Sequence, residues 1–121
     1  MAKTVAVLGA TPKEDRFANR AMRMLLSHGH RVIPVNPAFT EVMGHTCEPS
    51  VTAIQEPIDT VTMYVGAARS EPLIGEIIAA KPVRIIFNPG AENPNLANAA
   101  SAAGIEVVED CTLVMLQSGA F

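Results

Sequence analysis

Tryptophan is absent from this chain, and tyrosine occurs once. With aromatic residues at only 4%, the core must be built from aliphatic side chains and from the six methionines, whose flexible thioethers fill irregular gaps. Cysteine is equally scarce. Cys47 and Cys111 stand far apart and make no metal-type pair, which fits a reduced, cytoplasmic protein. Charge is low, at 17% with a net −3, and this argues against a general binder of nucleic acid or of anionic membranes. Apolar runs stop at strand length, far short of the ~20 residues that a bilayer span needs. Met1-Ala2-Lys3-Thr4 leads straight into a strand pattern, without the shape of a signal peptide. What is present is 49% hydrophobic residues in 121, enough for one domain, residues 1–121, with one core.

Strand and helix patterns alternate. Thr4 to Leu8 is a continuous apolar run ending at Gly9, as in strands buried on both faces. Ala18, Ala21, Met22 and Leu25 then follow helical spacing up to Gly29. Arg31–Val35 reads as a second strand, its Pro34 awkward for a central position. A looser stretch from Ala38 to Pro57 carries one short helical turn after Ser50. Thr60–Val65 is the third strand. Ser70 is placed to cap a helix carrying Leu73, Ile74, Ile77 and Ile78. Val83–Phe87 is the fourth strand. Asn93 caps the next helix, with Pro94 at its first position and Gly104 beyond its end. Ile105–Val108 is a short fifth strand. A last helix begins at Asp110, with Leu113, Met115 and Leu116 inward and Glu109-Asp110 at its cap. Repeated strand–helix–strand units with right-handed crossovers imply an α/β fold, a doubly wound, Rossmann-like parallel sheet of about five strands in the order 3-2-1-4-5.

Ligands of such sheets bind beyond the carboxyl ends of the strands, and the unusual turns fall there. They are Gly9 to Arg16, Asn36-Pro37, Gly66 with Arg69, and Asn88-Pro89-Gly90. In the first turn Gly9 allows close backbone approach, and the following helix offers free amides and a positive dipole end to a phosphate. Thr11 adds a hydroxyl, Lys13 and Arg16 add charge, and Asn19 lies one helical turn after Arg16. An ordinary turn with solvated basic side chains is the alternative. The turn is not a dinucleotide fingerprint, since Thr11 and Glu14 stand where glycines belong and no acidic residue ends the second strand. Nor does a Gly-Lys-Ser/Thr P-loop follow. Both absences count against NAD and against ATP hydrolysis.

Val7-Leu8-Gly9-Ala10-Thr11-Pro12 and Ser27-His28-Gly29-His30-Arg31-Val32-Ile33-Pro34-Val35-Asn36-Pro37 resemble the small stand-alone CoA-binding proteins, which are similar to the N-terminal CoA-binding domain of the succinyl-CoA ligase alpha subunit. The resemblance continues through Met43-Gly44, Asp59 to Val65, Asn88-Pro89-Gly90, Ala103-Gly104 and Asp110-Cys111. It implies coenzyme A or an acyl-CoA as the small-molecule nucleotide ligand. Gly9, Ala10 and Thr11 would meet its phosphates, with Lys13, Arg16 and Asn19 nearby. Asn36 and Pro37 would lie by the adenosine. Val65 would flank the adenine or pantetheine, and Asn88, Pro89 and Gly90 would border the pantetheine arm.

The other reactive side chains have simpler readings. Cys111 opens the last helix, where a dipole would activate a thiol, but a small buried hydrophobe is the favoured reading. His28, His30 and His45 have no metal-ligand spacing and are read as structural or solvated. The expectation is a binding module without catalysis of its own. An NAD(P)- or other nucleotide-dependent enzyme, or an interaction domain that has lost its ligand, are the alternatives. The apolar tail leaves a monomer and a homodimer both open.

Overall fold

The computed structural model describes residues 2–121. Its first strand, β1 (Thr4–Leu8), alternates two apolar faces. Val5 and Val7 point to one layer, where they meet Ala18, Met22 and Leu25 of α1 (Phe17–Ser27) and Leu116 of a C-terminal helix, α5 (Thr112–Ser118). Ala6 and Leu8 point to the other layer, packing with residues from β5 (Thr60–Met63) and β6 (Arg84–Phe87), Ile77 of α3 (Ile74–Ala79), and Leu96 and Ala100 of α4 (Pro94–Ala102). The sheet is thus doubly wound, as its unbroken apolar strands imply.

β1 pairs in parallel with β2 (Arg31–Val35) on one side and β5 on the other, and β6 and β7 (Glu106–Glu109) complete the sheet. The order is β2-β1-β5-β6-β7. The α/β class and the five parallel strands match the expectation. The third strand in sequence differs in place, because it lies between the first and fourth rather than outside the second. Pro34 supplies the reason. Its carbonyl points outward to the Glu48 amide, 2.9 Å away, so its missing N–H falls on that same outer side and no full strand can pair there. β2 is therefore an edge, covered only by a bridge from Val35 to Glu48 and by the hairpin of β3 (Glu41–Val42) and β4 (His45–Thr46). β5 takes the centre with all four residues buried. Its Thr60 and Thr62 hydroxyls accept from Arg84 Nε at 3.0 Å and Asn88 Nδ2 at 2.7 Å.

Helix boundaries shift in two places. Ser70 does not start a helix: α2 (Ala67–Ser70) begins after Gly66, and Ser70 is buried at its end, accepting a 2.8 Å hydrogen bond from Asn93 Nδ2. α5 starts at Thr112, and its cap comes from another strand. Asn88 Oδ1 accepts from the Thr112 amide at 2.8 Å, while Asp110 reaches only the adjacent Cys111 amide. Asn93 caps α4 as the pattern predicts, accepting from Leu96 N at 3.1 Å. Among the described residues no helix is long and apolar enough to cross a membrane.

Asn93 both caps α4 and holds buried Ser70. Replacing it with alanine should cost about 1–3 kcal/mol, measured by urea denaturation. A loss within error of zero would contradict the dual role.

Candidate functional site

The switch point of this strand order lies between β1 and β5, and Gly9 stands there. Its amide donates to Val35 O at 3.0 Å, and next to it Leu8 O accepts from Tyr64 N at 2.9 Å. The chain leaves β1 with Gly9 at φ +95°, and a Cβ on it would stand 2.9 Å from Val65 Cγ1 and 3.0 Å from Tyr64 O. Only glycine fits. The loop from residue 9 to residue 16 is then pinned from below. Asn36 Nδ2 donates to Ala10 O, and Asn19 Nδ2 to Thr11 O, both at 2.9 Å. Arg23 Nη2 donates to Glu14 O at 2.7 Å while its Nε holds Asn19 Oδ1.

Between these turns lies a cavity of about 420 Å³. Lys13, Arg16 and Arg69 line it, and no carboxylate does. Among the described residues the one ion pair is Arg31 with Glu56, so the three cations are unneutralised. Phe17 and Ala18 of the first turn of α1 also form its wall. No side chain caps this helix N-terminus, which leaves amide donors and the positive dipole end for an anion. A smaller chamber of about 240 Å³ adjoins the first, and Gly9, Asn36, Val65 and Arg69 line both. Its remaining walls are mostly apolar, including Leu8, Val35, Pro49 and Leu73.

Eight of the expected residues, Gly9, Thr11, Lys13, Arg16, Asn36, Val65, Pro89 and Gly90, meet on the larger cavity, and Pro37 lines the smaller. Ala10, Asn19 and Asn88 line neither. Ala10 and Asn19 are fully buried, and Asn88 nearly so. Asn88 spends its amide on Thr62 Oγ1, Met63 O and the Thr112 amide. These three shape the wall instead of facing the space. Sequence reasoning missed Phe17, Phe39 and Tyr64 as lining residues, and it placed Arg69 on the rim without giving it a contact with the ligand. Arg69 carried a signal, since it follows Gly66 in a rim turn. Phe39 carried none, because its loop has no period to read.

Tyr64 lines the cavity, while its hydroxyl is buried without a hydrogen-bond partner among the described residues. Loss of water pushes its pKa up to about 12. Cys111 is half-buried and lines neither chamber; Cys47 is buried under β2, where desolvation raises its thiol pKa. His30 Nδ1 accepts from the Lys3 amide at 3.0 Å, and burial lowers its pKa. Among the described residues no group of three His, Cys, Asp or Glu could hold a metal ion.

Residues 3–117 match the family model of a CoA binding domain. A crystal structure of an uncharacterized protein has the same fold at a TM-score of 0.94 and 44% identity, covering 100% of this chain and 99% of that one. The ADP-forming acetate–CoA ligase I of Archaeoglobus fulgidus is 40% identical over 65 residues, which are 54% of this chain and 10% of the ligase. The protein YneT of Bacillus subtilis is 34% identical over 73 residues, 60% of this chain and 52% of YneT. The matched stretch is thus a small part of the ligase and about half of YneT.

Two outcomes follow from the geometry. Gly9→Ala should cost about 1–3 kcal/mol through positive-φ strain alone, and more once the contact with Tyr64 O is counted, read as a fall in the urea midpoint. For Tyr64, the folded pKa lies above the ordinary 10. Its contribution is complete below pH 10 and is lost as pH rises from 10 towards 12, by roughly 2–3 kcal/mol. Tyr64→Phe should remove that share of the alkaline loss, and phenolate absorbance of the sole tyrosine should titrate late in the folded protein. Equal alkaline slopes for the two proteins would refute the burial argument.

Proposed function

This chain belongs to the CoA-binding domain family, and from that premise we propose that it holds coenzyme A or an acyl-CoA in the cleft at the carboxyl ends of its strands, without catalysis of its own. The observation that carries the reading is the charge of the larger cavity: three unneutralised cations beside an uncapped helix N-terminus, with no carboxylate in the lining. Such a site suits a ligand with several phosphates. The phosphates would sit against Gly9, Thr11, Lys13, Arg16 and Arg69. The adenosine would lie by Asn36 and Pro37, and the pantetheine arm would run past Val65, Pro89 and Gly90 towards solvent. The rest of the lining supplies apolar walls that orient the ligand, so carriage, sensing or presentation of the coenzyme to a partner protein is the role proposed.

Thermal shift against CoA, acetyl-CoA, NAD and ATP tests the proposal. CoA at a hundredfold excess over its Kd should add about 2.7 kcal/mol, and NAD and ATP should add little. Arg69→Ala should weaken CoA binding about tenfold, the cost of one charge-assisted hydrogen bond, and should reduce its salt dependence. A shift with NAD alone, or none with any CoA species, would reject the reading.

A further inference from the structure

The two edges of the sheet are finished differently. β2 is closed by Pro34, the Glu48 bridge and the hairpin, whereas β7 has β6 as its sole neighbour among the described residues. Glu106 N donates to Val83 O at 3.1 Å and Asp110 N to Phe87 O at 3.2 Å, both towards β6. Backbone groups alternate sides along a strand, so Val107 and Glu109 turn their N–H and C=O outwards, where no described residue pairs with them. Val107 and Val108 are half-buried and Glu106 and Glu109 exposed, while β5 and β6 are buried throughout. Charge marks this edge as well. From residue 93 to residue 121 the sequence holds no lysine, arginine or histidine, and its three acidic side chains, Glu106, Glu109 and Asp110, all fall on or directly after β7. Arg84 stands opposite Glu106 in register, but it is buried, spends Nε on Thr60 and Nη1 on Phe121 O, and makes no ion pair. A second copy fits this edge poorly. The antiparallel register that pairs Val107 with Glu109 of the other copy uses both outward groups, and it sets Glu106 against Asp110 at each end, like charge against like.

We propose that β7 is a docking edge for a basic, extended segment of a partner protein, which joins the sheet as an antiparallel strand. Main-chain bonds to Val107 and Glu109 hold the segment, and the carboxylates select its charge. Opposite Asp110, Glu109, Val108, Val107 and Glu106, in that order, the segment carries basic, basic, apolar, apolar and basic residues. No residue from 105 to 110 lines either chamber, so this contact uses none of the residues proposed for the coenzyme.

A peptide containing Lys-Lys-Val-Val-Lys, titrated into the full chain at low salt and followed by amide NMR shifts, tests this. The shifts should centre on Val107 and Glu109. Methylating the peptide nitrogens of its second lysine and second valine, which face Glu109 and Val107, should abolish binding, because the main-chain donors are lost while the charge is kept. A Glu-Glu-Val-Val-Glu peptide should bind about tenfold more weakly, or less. In the double variant Glu106→Lys/Glu109→Lys that preference should close or reverse. Both side chains are exposed, and melting checks that the variant folds. The peptide controls need no substitution in the protein. No shift on β7, equal binding of the methylated peptide, or a preference that survives the double substitution overturns the proposal. So does a wild type that already pairs with a second copy through β7, seen as a dimer in sedimentation with the Val107 and Glu109 amides protected from exchange.

Discussion

Everything at the rim depends on the close approach of β1's exit to the backbone of β5. With Gly9 at φ +95° and the Tyr64 carbonyl 3.0 Å from where a Cβ would stand, the first turn can swing across the switch point. A side chain at that position would push the turn away from β5 and Val65. The larger cavity exists because this turn, the Asn36 turn and the Gly66 turn all reach one place. The phosphate-suited charge depends on the same approach, since Lys13 and Arg16 ride on the loop that Gly9 launches.

Asparagines hold that arrangement in place. Asn36 ties the second turn to the first, Asn19 ties the first helix to the loop before it, and Asn88 ties β6 to β5 and caps α5. Each carries a donor and an acceptor on one short side chain, so each can satisfy two backbone groups at a chain crossing. That double use explains why Asn19 and Asn88 stand behind the wall. Their polar atoms are spent on the frame, and a half-satisfied amide in a buried position would be costly. The groups left unspent are the long cations at the rim, Lys13, Arg16 and Arg69, and these are the ones with freedom to meet a ligand.

Much of the fold was legible because it rests on local rules. The apolar run of β1, the helical spacing of Ala18 to Leu25, and the Asn93-Pro94 start of α4 state burial, period and capping directly in the chain. Pro34 also declared its unsuitability for a central strand, and the structure honours this by leaving β2 at the edge. What misled was the likeness of the pattern to a sheet in which the third strand lies outside the second. Local rules set strand and helix, but strand order depends on which edge can accept a partner. Here that was settled by one missing N–H and by the buried polar partners waiting for Thr60 and Thr62.

The sequence by itself determined the class of the fold, its layers, and the turns that form the rim, because hydrophobic period, glycine and proline act within a few residues of themselves. It also marked the charge of the first turn. Only the tertiary structure decided which of those residues face a common space. Phe39 comes from a loop with no period to read and reaches the cleft only through the folding of the whole chain, while Asn19 and Asn88 look equally suited to a ligand until their hydrogen-bond partners are known. Which polar side chains remain free is a property of the whole set of hydrogen bonds, and that set closes only when the chain has folded.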